Sequence, residues 1–390
     1  MKKILGLFVA WRGLDLLIAY IAKLLDKSHD KFPMIDLLDK VRNAPPFLRA
    51  FANFDGIHYI HIARYGYNTY EQAFFPLFPL LIHFLQPISG GRYFWTGFVI
   101  SNLCFLGGLI FWQKYLLIIG VGKKTTFWSI LFLLVFPTSF FFGSVYPSGL
   151  FLLIFTAALY FLEKRNFLLA SIFSFFAPLE RLIGLFIIIP SMFKVIEEGK
   201  IYTIKRFFRY FLTKPSAVLL FIAPILGLGC YMLYLYRTIG DPLFFYSAQP
   251  AFGANRSTHI ILLPQVFFRY IKIFLTARHD VIYFVSWIEF AIFNLVFWVL
   301  IYELYTLLKT KKGEHFLSRL GLNLFSLTNI ILPTLTGTLS SIPRYAFVSL
   351  SFFIVIGEIK NIFIRLFLLV LFAIFHIIIL TLFIQGNFVG

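Results

Sequence analysis

Residues 361–384 read NIFIRLFLLVLFAIFHIIILTLFI, and this stretch decides the fold class. An apolar run of about 18 residues or more is long enough to cross a bilayer as a helix. Comparable runs recur along the whole chain, which is 60% hydrophobic and 13% charged, whereas a soluble domain is about 45–50% apolar. Because the runs are continuous and do not alternate, they exclude a transmembrane β-barrel. The sequence predicts an all-α polytopic membrane protein.

The apolar runs also predict the number of crossings. Counting a broken pair of short helices across 167–195 as two, we expect about eleven transmembrane helices. No repeat and no flexible linker divides the chain, so 1–390 is predicted to form one integral domain. The predicted spans are 4–25, 93–119, 126–142, 147–162, the pair within 167–195, 216–236, 281–308, 316–338, 344–357 and 361–384.

The distribution of positive charge predicts the orientation. Cytoplasmic loops are rich in Lys and Arg, so Lys2 and Lys3 place the N-terminus in the cytoplasm. The same excess explains the net charge of +18 without a nucleic-acid partner. Two long loops, 26–92 and 237–280, and a third, short loop, 340–345, then lie on the outer face. This arrangement requires 74–88, which is short and holds three prolines, to be an interfacial or re-entrant segment and not a crossing.

The first outer loop holds the strongest candidate for chemistry, Asp55, within the aromatic stretch 47–80. The spacing of aromatic and histidine residues from Phe47 to His61 fits an amphipathic helix at the membrane surface. A carboxylate held there suits a general base for a hydroxyl nucleophile. The alternative is a solvated loop aspartate without a chemical role.

Other polar residues are weaker candidates. His58 and His61 could share a ligand, but no third ligand has matching spacing, so interfacial side chains are the simpler interpretation and no metal is expected. The guanidinium fork suits phosphate oxygens, which makes Arg181, Arg256 and Arg344 phosphate-binding candidates. Ion pairs or lipid-headgroup contacts are the alternatives for these three. Arg12 and Asp15 are spaced to pair across about one helical turn.

Nucleotide-binding and hydrolase motifs are missing from the sequence. There is no Walker loop, dinucleotide fingerprint, HExxH or nucleophile elbow. An enzyme without a nucleotide site needs its activated substrate in another form, and a lipid-linked donor reached from within the bilayer fits that need.

Six stretches, in family order, resemble the PIG-V-type (GPI mannosyltransferase II-like) branch of the GT-C integral-membrane glycosyltransferases. The first two together are specific, whereas the others alone are weak. They are NFDGIHYIHIARYGY (53–67), AFFPLFPLL (73–81), FPTSFFFGSVYPSGLF (136–151), APLERLIGL (177–185), GDPLFFYSAQ (240–249) and IPRY (342–345).

The resemblance implies a GT-C fold with a large first outer loop and catalysis on the outer face. Such enzymes move a sugar, usually mannose, from a polyprenyl-phosphate donor to a hydroxyl of a glycolipid or glycan, with inversion. No cofactor beyond the lipid-linked donor is then expected, and the partners are the donor, the acceptor and membrane lipids. The resemblance implies that Asp55 is the base or the carboxylate that orients the acceptor, and that Arg181, Gln249 and Arg344 match polar positions of the family. Together with candidates from the residues themselves, six residues are predicted to bind donor phosphate or substrate. These six are His58, Tyr59, Arg181, Gln249, Arg256 and Arg344.

Three positions depart from the family pattern. Phe54 replaces the usual Trp and Asn53 the frequent Arg, which is expected to alter the acceptor pocket. Ser148 stands where the family commonly has Glu, which removes one acid from the outer face. The N-terminal MKK and compact loops suit a prokaryotic plasma-membrane relative, while a eukaryotic one would lie in the endoplasmic reticulum membrane.

Two other functions stay open. The broken helices and the intramembrane Arg181 could line the path of a lipid or glycan transporter or flippase, although no second half carries a matching break. The missing acid at Ser148 instead favours a non-catalytic subunit of a glycan-assembly complex.

Overall fold

The computed structural model describes residues 2–25, 44–201, 203–253, 256–310 and 315–389. Within these ranges every regular element is a helix, which confirms the all-α prediction. Part of the first predicted outer loop, 26–43, lies outside the described residues.

Six of the described helices are long and apolar enough to cross a membrane, which supports assignment to the membrane proteins. They follow the predicted spans at both ends of the chain and around its middle. They are Lys2–Leu25, Tyr93–Ile118, Leu219–Ile239 with the turn Pro215–Ala217 before it, Val281–Thr310, Phe316–Ile331 with the turn Leu332–Thr336 after it, and Ile362–Ile384.

The other predicted spans form shorter helices of 9 to 16 residues. The expected break within 167–195 is confirmed, because one helix ends at Glu180 and another begins at Ile188. Length alone does not identify these helices as crossings, so the count of eleven stays a prediction. The shorter helices are Lys123–Val135, Ser148–Glu163, Phe167–Glu180, Ile188–Gly199 and Leu350–Glu358.

The predicted outer loops are also helical. In the first, Asp55–Tyr65 is followed by Leu77–Leu85. Helix Leu77–Leu85 buries Phe78 and exposes Phe84, so one of its faces packs against the protein and the other does not. The second loop contains Phe244–Ser247 and Leu263–Thr276, and the third carries Ile342–Ala346.

A polar cluster inside the bundle ties the first long helix to the last. Arg12 Nη1 lies 3.6 Å from Asp15 Oδ2, which confirms the predicted pair. Asp15 Oδ1 also hydrogen-bonds His376 Nε2 at 2.8 Å, and Arg12 donates to the Gly143 carbonyl at 2.9 Å. Since a buried charge needs partners, these bonds fix how Lys2–Leu25 and Ile362–Ile384 pack together.

Candidate functional site

The segments that hold the predicted site residues enclose one cavity of about 1010 Å³. It lies among the helix that begins at Asp55, the break after Glu180, and the second and third predicted outer loops. The structure brings all seven predicted site residues into its lining: Asp55, His58, Tyr59, Arg181, Gln249, Arg256 and Arg344.

Asp55 is the first residue of its helix, and the expected continuous amphipathic helix from Phe47 to His61 is wrong. The chain breaks at Phe54, whose φ of 58° lies in the left-handed region. Two hydrogen bonds of Asn53 stabilise the break: its side-chain amide donates to the Phe383 carbonyl, and its backbone carbonyl accepts from the Tyr146 hydroxyl. A new helix start therefore directs Asp55 into the cavity.

The carboxylate of Asp55 forms an ion pair with Arg344, which is 289 residues away in the sequence. The contact joins Asp55 Oδ2 to Arg344 Nη1. Their side chains are only 20% and 10% exposed. Arg344 follows Ser341, another non-glycine residue with positive φ, at 67°. Left-handed backbone thus precedes both partners of the pair, and such positions cluster at functional sites.

Arg181 reaches the cavity because the chain turns sharply after Glu180. The turn folds back so closely that a Cβ built on Gly184 would lie 2.2 Å from the Ala177 carbonyl carbon, which makes glycine necessary there. Arg181 Nη2 donates to Ser148 Oγ at 2.6 Å, while Nη1 has no hydrogen-bond partner among the described residues. Ser148, at the position where the resemblance leads us to expect an acid, therefore contacts Arg181 directly.

The second predicted outer loop supplies a third arginine to the cavity. Arg256 donates from Nη1 to Gln249 Oε1 at 3.1 Å and from Nη2 to Ser341 Oγ at 3.3 Å. These two bonds connect the second loop to the segment that carries Arg344. Gln249 thus orients Arg256, a relation that the sequence does not reveal.

His58 and His61 both bind Glu71, a residue to which the sequence analysis gives no role. The Nδ1 atom of each histidine lies 2.9 Å from a Glu71 carboxylate oxygen. Burial by itself would raise the pKa of Glu71, but the bonds from both histidines and from the Asn68 amide hold it below its ordinary value. Across the described ranges, no three His, Cys, Asp or Glu residues are grouped to hold a metal ion.

Two further cavity residues escape sequence reasoning. Glu180 is 2% exposed, lines the cavity, and has no hydrogen-bond partner for either carboxylate oxygen within the described residues. Tyr146 lies 5.5 Å from the Arg344 guanidinium, measured to the ring centroid, in a cation–π contact. The signal for Glu180 was its adjacency to Arg181 in an apolar run.

The charges of the cavity favour an anionic ligand. Three arginines and two carboxyl groups line it, which leaves an excess of one positive charge when all are ionised. Asp55 neutralises Arg344, whereas neither Arg181 nor Arg256 forms an ion pair with a carboxylate of the described chain. Phenylalanine and leucine side chains, including Phe74 and Phe252, complete the wall. The cavity can therefore accept a molecule that combines an anionic group with apolar parts.

Comparison with protein-family models, with curated proteins and with solved structures finds no match to this chain. The fold and the cavity therefore define a class only: a helical membrane protein with a charged cavity built from widely separated segments.

Proposed function

We propose that this protein is an integral-membrane glycosyltransferase. In this proposal it takes a sugar, with mannose as the first candidate, from a polyprenyl-phosphate donor and transfers it to a glycolipid or glycan hydroxyl with inversion. About eleven crossings would place the cavity on the extracytoplasmic face. The observation that carries the proposal is that Asp55 and three arginines from four separate sequence regions line one cavity.

The arginines support an anionic donor. Among the described residues, Arg181 Nη1 has no hydrogen-bond partner, and Arg256 donates hydrogen bonds to neutral groups, so both can direct N–H donors towards phosphate oxygens. Charge accumulates on the phosphate as the bond to the sugar breaks. Arginines placed at that oxygen would stabilise the leaving group more in the transition state than in the ground state.

Asp55 supports the acceptor side of the reaction. As the acceptor oxygen forms its bond to the anomeric carbon, the bond from that carbon to the phosphate oxygen breaks. The hydroxyl proton passes to the Asp55 carboxylate, and polyprenyl phosphate leaves. The ion pair with Arg344 would keep Asp55 ionised and oriented before substrate binds, and Arg344 could then share its donors with the phosphate.

A transfer assay tests the proposal. Purified protein in detergent would be given radiolabelled mannosyl prenyl phosphate and a glycolipid extract. Wild type is expected to form labelled product, and Asp55→Asn to lose about 100-fold or more of the rate, because a positioned base contributes about 10²–10⁴-fold. Asp280→Asn is the matched control, since Asp280 is exposed and asparagine can also accept the bond from the Tyr283 amide.

The same preparation separates the alternatives. Donor flux across proteoliposomes without transfer would replace the proposal with a transporter. Activity that appears only with a co-purified transferase would indicate a non-catalytic subunit. Undiminished transfer by Asp55→Asn would reject Asp55 as the base while keeping the enzyme.

A further inference from the structure

Glu180 is a buried carboxyl group that the protein compensates only in part. It is 2% exposed, and the Phe78 backbone amide and the Arg181 guanidinium act on it, but neither Oε1 nor Oε2 lies in hydrogen-bond geometry with a described residue. Yet it lines the cavity and is not enclosed in the apolar core. A buried polar group without a partner destabilises a fold, and an apolar side chain of similar size would remove that cost. The interactions with Phe78 and Arg181 offset part of this cost, and the carboxyl group keeps unused acceptor capacity in the cavity lining.

The next residue, Arg181, has a hydrogen-bond donor that needs an acceptor. Arg181 Nη1 is a donor without a hydrogen-bond partner among the residues that the structure describes, while its Nη2 donates to Ser148 Oγ at 2.6 Å. The helix Phe167–Glu180 ends between the two side chains, and Arg181 has an extended backbone with φ −156° and ψ 143°. Glu180 and Arg181 thus both line the cavity and interact electrostatically, and each keeps hydrogen-bonding capacity that the described residues do not fill.

A sugar phosphate can offer donors to Glu180 and acceptors to Arg181 at the same time. Its hydroxyls can donate to the two Glu180 oxygens, and its phosphate oxygens can accept from Arg181. A bare cation would satisfy Glu180 but would be repelled by Arg181, and a bare phosphate would do the reverse. A ligand with hydroxyls beside an anionic group meets both requirements in one molecule.

We infer that Glu180 is the sugar-binding residue of the donor site. Its two oxygens accept hydrogen bonds from ring hydroxyls, and Arg181 holds the adjoining phosphate. The donor class rests on the proposed function, but the requirement for hydroxyls next to an anion rests on Glu180 and Arg181 themselves. Glu180 touches substrate in this arrangement without taking part in bond making.

Paired binding measurements test the inference. The probes are citronellyl phosphate and mannosyl citronellyl phosphate, which differ only in the sugar. Wild type is expected to bind the sugar-bearing probe at least about tenfold more tightly, as hydrogen bonds to a charged group allow. Glu180→Met should bind the two probes within about twofold of each other, with the affinity for citronellyl phosphate no lower than in wild type, because a carboxyl group beside Arg181 is removed. Glu358→Met is the control, because that side chain is 47% exposed and lies outside the cavity.

Thermal unfolding separates sugar binding from a structural role. Because the protein compensates this buried carboxyl group only in part, the Tm of Glu180→Met should stay close to that of wild type or rise. A lower Tm together with lost preference would make Glu180 structural and overturn the inference. If Glu180→Met does not fold, Glu180→Gln decides, because reduced preference supports the inference and full preference overturns it.

Two outcomes distinguish this inference from the proposed function. Preference for the sugar-bearing probe that depends on Glu180, without any transfer, would keep the subsite and reject the transferase. Transfer by wild type with full preference retained in Glu180→Met would reject the subsite and keep the transferase. Wild type without any preference for the sugar-bearing probe would also overturn the subsite.

Discussion

The ion pair between Asp55 and Arg344 predicts that removing the Asp55 charge strengthens the binding of an anionic ligand although it reduces catalysis. Because Asp55 neutralises Arg344 and repels anions, Asp55→Asn should bind citronellyl phosphate more tightly than wild type while losing transfer. Asparagine keeps the shape of the side chain, so the cavity should retain its geometry. The perturbation removes one negative charge and little else.

The expected magnitude follows from Coulomb's law. A phosphate that shares the Arg344 guanidinium would hold its charge about 6 Å from the Asp55 carboxylate. At an effective dielectric constant of about 20 the repulsion is about 3 kcal/mol. The Asp55 side chain is 20% exposed, so salt and water reduce this value to about 1.4 kcal/mol, which corresponds to about tenfold in Kd.

Isothermal titration calorimetry in detergent measures this effect. At about 0.15 M salt, where the Debye length is about 8 Å, Asp55→Asn should show a Kd about tenfold lower than wild type, and the gain should shrink at higher salt. Arg344→Met should bind more weakly, and Asp280→Asn should match wild type. Equal or weaker binding by Asp55→Asn would refute the view that Asp55 and the phosphate compete for Arg344.

Three further predictions concern stability and the orientation of Arg181. Glu71→Gln should lower the Tm at pH 7. Because folding lowers the pKa of Glu71, the difference in Tm from wild type should shrink as the pH falls below about 4.3 through that lowered value. Thermal unfolding at a series of pH values measures the difference. Gly184→Ala should lower the Tm through its backbone clash. A Cβ at Gly229 would meet no described atom within 4 Å apart from its chain neighbours and its own helix backbone, so Gly229→Ala should raise the Tm; the reverse order would refute the close approach at Gly184. Ser148→Ala should weaken citronellyl phosphate binding about threefold to tenfold by releasing Arg181, and unchanged affinity would show that the bond does not position it.

The predictable features were those set by local sequence. Apolar runs indicate membrane helices whatever their neighbours, and the spacing of Arg12 and Asp15 fixes a contact within one helical turn. The break near Arg181 is likewise encoded locally, by a tight turn that requires Gly184.

The pairings across the chain could not be derived from composition or periodicity. Asp55 meets Arg344 over 289 residues, a contact that depends on how the long helices pack. The helix break at Phe54 is imposed by Tyr146 and Phe383, whereas the local spacing alone favours a continuous helix. Glu71 was overlooked because its partnership with the histidines forms only when the chain turns back after Tyr65.

The left-handed backbone at Phe54 and Ser341 constrains how this protein can be improved. Each such residue stores about 1–3 kcal/mol of strain that the rest of the bundle must offset. Glycine would relieve the strain at Ser341, whereas Phe54→Gly would also lose the ring contacts with Phe383 and Phe388, so a laboratory evolution experiment that selects for heat resistance alone should enrich Ser341→Gly. That change would loosen the segment that carries Arg344 and remove the hydroxyl that accepts from Arg256. Selection for heat resistance alone would therefore impair the cavity before it destabilised the helix bundle. Screens should measure ligand binding together with melting temperature.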